Sequence, residues 1–200
     1  MRGTVIVFVK TPVAGRVKTR LGAEIGMGRA AALFRLLTQR TIAESLKGEW
    51  RTMLAVDPPW AAHGSARFWP HNVARMPQGR GDLGDRMARA FALAPQGPAV
   101  IIGADAPGLR ARHLRRAFSA LKGADAVFGP AEDGGYWLVG LNRRCAAPDL
   151  FKAVRWSTKH ALADTLKTLP SSFEMRMLET LADVDEAKDL SLMGPAAAAH

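Results

Sequence analysis

Short apolar runs alternate with longer amphipathic stretches along most of the chain. Runs of this length, apolar at nearly every position, are typical of strands that are buried on both faces. The strands predicted in this way span residues 4–9, 51–56, 98–103, 125–130, 136–141 and 173–178, with two short extended pieces at 66–69 and 73–76. The stretches between them carry apolar residues at helical spacing. This alternation predicts one α/β domain with a mostly parallel sheet and helices on both faces.

Helix signals lie where the apolar period changes. A helix is predicted from Gly28 to Lys47, and Asp82 is the expected N-cap of a second helix. A third carries an apolar stripe from Leu114 to Leu121. Ser157 or Thr158 is expected to cap a fourth, which ends at Pro170, and a short helix is predicted over 186–192.

The chain has neither an internal repeat nor a linker long enough to divide it, so residues 1–193 are expected to form one domain, with 194–200 as a frayed tail. No apolar run approaches the length of a membrane span, and the N-terminal run ends too soon, at Lys10, for a signal peptide. The single cysteine, Cys145, excludes an internal disulfide and favours a reducing, cytoplasmic location.

The formal net charge is +10, which favours an anionic partner: nucleic acid, a membrane surface or phosphorylated small molecules. The sequence has no arginine-rich tail and no basic stripe interleaved with aromatic residues, so nucleic acid is not expected as a partner.

The strongest candidate for an anion site follows the first strand. Lys10 ends the strand, Gly15 lies in the following loop, and the cations Arg16, Lys18 and Arg20 alternate after it. Phosphate oxygens need backbone N–H groups at close approach and fixed positive charge. An ordinary connection on a basic surface is the alternative, but three alternating cations repel one another unless an anion joins them.

Carboxylates follow other predicted strands. Asp105 lies just past strand 98–103, where open α/β sheets bind ligands. The glutamate, aspartate and two glycines of 132–135 form a turn signal between two strands. The alternative for that turn is contact with a metal or with an acceptor hydroxyl.

Six motifs then carry a family resemblance: FVKTPVAGRVKTRL, GDLGDRM, IIGADAPGL, GPAEDGGYWLVGL, RWST and LADVDEAKDL, in order from residue 8 to 190. As a set they resemble the nucleotide-diphospho-sugar transferase superfamily, which has the glycosyltransferase-A (GT-A) fold. More closely, the chain resembles a bacterial family of glycosyltransferases, some of them associated with arsenosugar biosynthesis. The resemblance implies a Rossmann-like three-layer α/β/α sandwich with a mostly parallel mixed sheet.

Two details distinguish branches of the superfamily. The first motif is also similar to the start of phospholactate guanylyltransferases, and the Asp-x-Pro form of 105–107 resembles nucleotidyltransferases. Sugar-transferring relatives more often carry Asp-x-Asp, whereas here the position two before Asp105 is Gly103. The first loop has only Gly15 where pyrophosphorylases have Gly-x-Gly-x-Arg.

The resemblance implies a metal-dependent, nucleotide-using transferase, with transfer of a nucleotidyl group from a nucleoside triphosphate to a small phosphorylated acceptor as the favoured reaction. One alternative is a glycosyltransferase that uses a nucleotide-sugar donor. A more distant alternative is a non-catalytic module that binds nucleotides or RNA. The implied partners are the nucleotide and a small acceptor, and the sequence leaves the oligomeric state open.

Site residues are assigned by the same resemblance. Lys18 and Arg20 would bind the leaving phosphates beside Lys10, Gly15 and Arg16, and Asp105 and Asp185 would hold Mg²⁺ or Mn²⁺, with Asp183 in reserve. The remaining assignments are Gly81, Asp82 and Gly84 against the base, and Glu132, Asp133, Gly134, Gly135 and Tyr136 toward the acceptor. Lys18, Arg20, Asp105 and Asp133 are the expected catalytic residues.

Overall fold

The computed structural model describes residues 2–63, 68–144, 150–184 and 187–193. Asp185, the predicted metal ligand, Cys145, the predicted reduced thiol, and the predicted tail at 194–200 lie outside the described residues. So do residues 66–67 of the predicted extended piece and residue 186 of the predicted short helix.

The described residues form one seven-stranded sheet. Its strands are β1 (Thr4–Lys10), β2 (Arg51–Asp57), β3 (Ala74–Pro77), β4 (Ala99–Ile102), β5 (Ala126–Pro130), β6 (Tyr136–Leu141) and β7 (Met175–Met177). Their order is β3-β2-β1-β4-β6-β5-β7. Strand β6 runs antiparallel to β4 and β5, and every other pairing in the sheet is parallel. The predicted mixed, mostly parallel sheet is therefore confirmed.

Strand β1 lies inside the sheet, between β2 and β4, and its side chains are apolar on both faces. Val5, Ile6 and Val7 are fully buried. Val5 and Val7 pack in the core on one side of the sheet, whereas Ile6 packs on the other. Such a strand needs a cover on each face.

The described residues form five helices: α1 (Thr19–Ile25), α2 (Met27–Ser45), α3 (Leu83–Leu93), α4 (Ala111–Ala120) and α5 (Ala161–Lys167). Helices α2 to α5 supply that cover, whereas α1 packs against α2 in a separate cluster. Ile42 of α2 and Leu114 of α4 pack against one face of the sheet. Phe91 of α3 packs in the core of the other face, and Leu162 of α5 packs against it. Short 3₁₀ turns cover 59–62 and 187–193. The result is the predicted α/β/α sandwich.

Three predictions of local structure were wrong. The cationic segment is not a loop as far as Arg20, because α1 begins at Thr19, before α2. Residues 68–69 form a turn and not the end of a strand. Helix α5 begins at Ala161 after His160, without a side-chain cap, because the Thr158 hydroxyl accepts a hydrogen bond from the His160 N–H in the preceding turn.

No helix in the described part of the chain has the length and hydropathy needed to cross a bilayer.

Candidate active site

A cavity of about 760 Å³ opens where β1 and β4 end. Parallel strands present their carboxyl ends at one edge of the sheet, so the segments that follow them meet there. Several such segments contribute charges of opposite sign. Basic residues come from the end of β1 and the following segment, and acidic residues come from the segments after β4, β5 and β7. Residues that are distant in sequence thus share one opening.

The cationic segment lines this cavity with the four predicted basic side chains, Lys10, Arg16, Lys18 and Arg20. Gly15 does not line the cavity, but its φ of +75° explains the glycine, because L-residues with side chains rarely adopt this conformation. No atom of the described residues lies within 4 Å of the position that a Cβ at Gly15 would occupy. The turn at Gly15 reverses the direction of the chain between β1 and α1.

Lys18 has an unusual backbone. It is the N-cap of α1 with φ 46° and ψ 49°, the left-handed region that a non-glycine residue enters at a cost of about 1–2 kcal/mol. The Gly22 N–H donates to the Lys18 carbonyl and starts the helix. The lysine is thus fixed by the helix that follows it.

The Lys18 side chain forms an ion pair with Asp105. Its Nζ atom lies 2.9 Å from Asp105 Oδ2. The lysine side chain is 8% exposed and the aspartate side chain 38% exposed, so the ammonium is covered and the carboxylate faces the cavity. The pair joins the segment after β1 to the segment after β4 and brings together two of the predicted catalytic residues.

Gly103 leaves room for that carboxylate. A Cβ at residue 103 would lie 3.0 Å from Asp105 Oδ1, closer than nearly all real Cβ contacts. The position of the Asp105 carboxylate therefore gives a steric reason for glycine at residue 103, where sugar-transferring relatives more often carry aspartate.

The reserve metal ligand, Asp183, lines the same cavity. It is half-buried and precedes Val184, which is fully buried against Leu21, Ala30 and Leu37. This packing holds the segment after β7 beneath α1 and α2.

Asp105 and Asp183 suit Mg²⁺ or Mn²⁺ in one specific way. Among the residues that the structure describes, no three metal-ligating side chains form a cluster, so those residues provide no all-protein cage. Mg²⁺ is commonly held by one or two carboxylates together with substrate phosphates. Two carboxylates beside a cationic phosphate-type loop fit that pattern.

The residues of the glycine-rich loop before α3 mainly determine the conformation of the loop and the start of the helix. Gly81 has φ +101°, and Asp82 and Asp85 form a reciprocal capping box at the start of α3. Gly84 is buried, and a Cβ there would lie only 2.9 Å from the Phe151 carbonyl oxygen, so a larger side chain does not fit. Of the three predicted residues of this loop, only Asp82 lines the cavity.

Two further residues near α3 line the cavity and were missed from the sequence. Arg86 donates to the Gly81 carbonyl at 3.1 Å and adds a fifth cation. Gln78 is buried, and its amide donates to the carbonyls of Val9 and Ala55. The sequence offers only weak signs that these residues belong to the site: Arg86 is one turn after the N-cap, and Gln78 directly follows a strand.

The turn between β5 and β6 supplies the opposite wall. Asp133 and Gly135 line the cavity, and the Asp133 carboxylate accepts the Gly135 N–H at 2.8 Å. Glu132 and Gly134 do not line it. A Cβ at Gly134 would collide with the Lys159 backbone, so that glycine serves packing. The hairpin predicted from the Asp-Gly pair is confirmed.

Tyr136 faces two ways. Its ring lines the cavity, but its hydroxyl accepts a hydrogen bond from the Thr165 hydroxyl of α5 at 3.4 Å. Burial raises the pKa of the phenol well above its ordinary value of 10.0, and the Thr165 hydrogen bond opposes this only in part. The phenol is therefore neutral at physiological pH.

The RWST motif completes this wall with Trp156, Ser157 and Thr158. The sequence had suggested only helix capping for Ser157 or Thr158. Arg155, beside them, is held by two hydrogen bonds to Asp164 of α5, at 2.6 and 2.9 Å. These contacts lower the pKa of Asp164 well below its ordinary value of 3.8.

The fold and this cavity together define a class. The fold is that of nucleotide-diphospho-sugar transferases, and a candidate enzyme of that name from Desulfovibrio desulfuricans G20 superposes with a TM-score of 0.84 at 28% identity, over 98% of this chain and 88% of the other. The chain belongs to the DUF2064 family, described as uncharacterized protein conserved in bacteria, whose sequence profile matches residues 41–158.

More distant structures share the fold. A 4-diphosphocytidyl-2C-methyl-D-erythritol synthase from Anaerococcus prevotii DSM 20548 matches with TM-score 0.60 at 9% identity, over 94% of each chain. Rv0371c from Mycobacterium tuberculosis H37Rv, in complex with manganese, matches with TM-score 0.56 at 15% identity, over 96% of this chain and 97% of that one. No curated protein matches the sequence.

Proposed function

We propose that the protein is a metal-dependent transferase that moves a nucleotidyl group from a nucleoside triphosphate to a small phosphorylated acceptor. The observation that carries the proposal is one cavity lined by four cations from the end of β1 and the segment after it, and by the carboxylates of Asp105 and Asp183. The fold is shared with a structure named as a 2-C-methyl-D-erythritol 4-phosphate cytidylyltransferase, which supports the same class.

The reaction requires little covalent chemistry from the protein. An oxygen of the acceptor phosphate attacks the α-phosphorus of the triphosphate, the bond to the β-phosphate breaks, and pyrophosphate leaves. Such a transfer depends on positioning and on neutralising charge. Lys18, Arg16 and Arg20 bind the phosphates that leave, with Lys10 beside them.

The carboxylates have a separate task. Asp105 and Asp183 would hold Mg²⁺ or Mn²⁺, with Asp185 as a further ligand, and the ion would supply positive charge to neutralise the phosphates. Asp82 would lie toward the nucleoside, and the wall formed by Asp133, Gly135 and Tyr136 would receive the acceptor.

One observation favours glycosyl transfer as the second candidate. Residues 131–137 and 156–161 contribute no lysine, arginine or histidine to the described lining of the cavity. This wall instead presents one carboxylate, aromatic rings and hydroxyls, which suits a hydroxyl-bearing acceptor better than a phosphorylated one. In that reaction a nucleotide-sugar is the donor and Asp133 contacts the sugar.

Thermal unfolding with a ligand panel tests both candidates. The panel contains the four nucleoside triphosphates and common nucleotide-sugars, each with and without Mg²⁺ or Mn²⁺. A ligand at 100 times its dissociation constant adds about 2.7 kcal/mol of stability, which shifts the melting temperature measurably. We expect a metal-dependent shift with one or more triphosphates.

Matched variants locate the site. Asp105→Asn should lose the metal-dependent shift, whereas Glu174→Gln, an exposed acidic position that does not line the cavity, should keep it. Arg20→Gln should weaken the shift and Arg29→Gln should not. A shift with nucleotide-sugars alone selects glycosyl transfer, and no shift with any ligand contradicts both candidates.

A further inference from the structure

We propose that this site accepts a divalent cation only together with a polyphosphate, because Lys18 acts as the counter-ion of Asp105 until a phosphate replaces the carboxylate. The inference rests on the proposed function and concerns the form in which its ligand enters. The site would bind a metal–polyphosphate complex, and it would discriminate against the bare ion.

The first step of the argument is that the ammonium has a fixed position. Lys18 Nζ lies 2.9 Å from Asp105 Oδ2, and the lysine side chain is almost fully covered. Its backbone is held in the left-handed region at the start of α1, and its carbonyl accepts the Gly22 N–H at 2.8 Å. The charge therefore does not move aside as that of an exposed surface lysine would.

The second step concerns a bare divalent ion. An ion bound to Asp105 would lie close to the Lys18 ammonium, and like charges repel more strongly where solvent is partly excluded. The same cavity is also lined by Lys10, Arg16 and Arg20. With Arg86 the described lining carries five cations against four carboxylates, Asp82, Asp105, Asp133 and Asp183, so a bare divalent ion would add to an existing excess of positive charge.

The third step is the exchange of partners. A polyphosphate brings several negative charges into the cationic segment and offers oxygens to the Lys18 ammonium. Asp105, 38% exposed and facing the cavity, can then ligate the ion that the same phosphates chelate. Each charged group keeps an opposite charge beside it throughout, so binding of polyphosphate and binding of metal reinforce each other.

Mn²⁺ titration followed by electron paramagnetic resonance tests the inference without any turnover. The probes are Mn²⁺ alone, inorganic tripolyphosphate alone and the two together. Wild type should bind Mn²⁺ with tripolyphosphate at least about tenfold more tightly than it binds either alone, which is an ordinary size for a coupling between two ligands.

Variants isolate the role of Lys18. Lys18→Gln should bind bare Mn²⁺ about tenfold more tightly than wild type, and Lys18→Arg, which keeps the charge, should not. Adding Asp105→Asn to Lys18→Gln should remove the gain. Lys122→Gln removes the same charge at an exposed position outside this cavity and should bind bare Mn²⁺ as wild type does. Lys18→Gly, which suits the left-handed backbone, replaces Lys18→Gln if the latter does not fold.

The outcomes separate the two levels of the hypothesis. Equal affinity of wild type and Lys18→Gln for bare Mn²⁺, or a gain that persists with Asp105→Asn, overturns the counter-ion role and leaves the proposed function intact. Failure of wild type to bind tripolyphosphate with or without Mn²⁺ overturns the proposed function and this inference together.

Discussion

At the scale of single residues, the site depends on small side chains as much as on charged ones. Asp105 faces the cavity because Gly103 leaves space beside its carboxylate. The glycine of the Asp-Gly turn, Gly134, is needed because a Cβ would collide with the backbone at Lys159. Neither requirement is visible in the residue type alone, since glycine in a loop is also compatible with simple flexibility.

Gly103→Ala should reduce ligand binding more than stability. The added Cβ would lie 3.0 Å from Asp105 Oδ1, so the carboxylate must shift by a few tenths of an ångström. We expect unfolding free energy within about 1 kcal/mol of wild type and a smaller metal-dependent shift with triphosphate. Gly123→Ala, where no atom lies within 4 Å of the new Cβ, is the control. An unchanged ligand shift in Gly103→Ala would contradict the position assigned to Asp105.

Asp164 should make the free energy of unfolding depend on pH in the acidic range. Arg155 holds the pKa of Asp164 well below 3.8, so the folded state favours the charged carboxylate. The stabilisation is therefore complete above about pH 3.8 and is lost as the pH falls through the lower, folded-state pKa. Urea unfolding at about pH 7, 4.5 and 2.5 should show Asp164→Asn less stable than wild type, with a difference that shrinks only at the lowest pH. A difference that is the same at all three values would exclude this contribution.

At the scale of elements, α3 shows how one motif serves structure and site together. Its sequence signal, Asp82 before an apolar stripe, predicted the helix start correctly, and the reciprocal hydrogen bonds with Asp85 confirm it. The carboxylate of Asp82 also lines the cavity. Because the cap already uses the Asp85 N–H, the start of α3 is a poor place for a phosphate, which leaves that role to the segment after β1.

Variants at Asp82 can separate its two roles. Asp82→Ala should lose about 1 kcal/mol of stability through the missing cap, whereas Asp82→Ser should retain most of it. If the carboxylate also contacts the nucleoside, Asp82→Ser will keep the melting temperature of wild type and lose part of the ligand-induced shift. Full ligand binding by Asp82→Ser would restrict the residue to capping. Differential scanning fluorimetry measures both quantities.

At the scale of the whole molecule, the cavity exists because distant segments return to one edge of the sheet. The segment after β7 is held there by Val184, which packs against Leu21, Ala30 and Leu37 and places Asp183 in the lining. The site is therefore assembled from residues near both ends of the chain. The family profile covers 41–158 and so does not include the cationic segment or Asp183.

Val184→Ala should weaken both the fold and the site. Removing buried methyl groups and leaving a cavity should cost about 2 kcal/mol of unfolding free energy, measured by urea denaturation. Because Asp183 is the adjacent residue, the metal-dependent ligand shift should also fall. Val13→Ala, at a position 43% exposed, should change neither quantity appreciably. Loss of stability with a fully retained ligand shift would exclude Asp183 from the metal site.

The order of strands and helices was determined by the sequence itself. Buried strands such as β1 and capped helices such as α3 follow from local period, apolar content and capping residues, which act over a few neighbouring positions. The presence of one cation at the end of β1 and three after it, and of Asp105 after β4, could be read in the same way. Helix α1 was missed because its seven residues are too few to show a clear period.

Tertiary structure alone decided which of these residues meet. The pairing of Lys18 with Asp105, the return of Asp183 and the contribution of Trp156 and Arg86 to the lining all join segments that are far apart in sequence. Residue type gives the chemistry that a side chain can perform, but its neighbours depend on strand order and on packing between elements. Several glycines that were predicted to line the site instead satisfy backbone conformation or close packing. The sequence could not show this, because the space around a residue is set by segments that are distant in the chain.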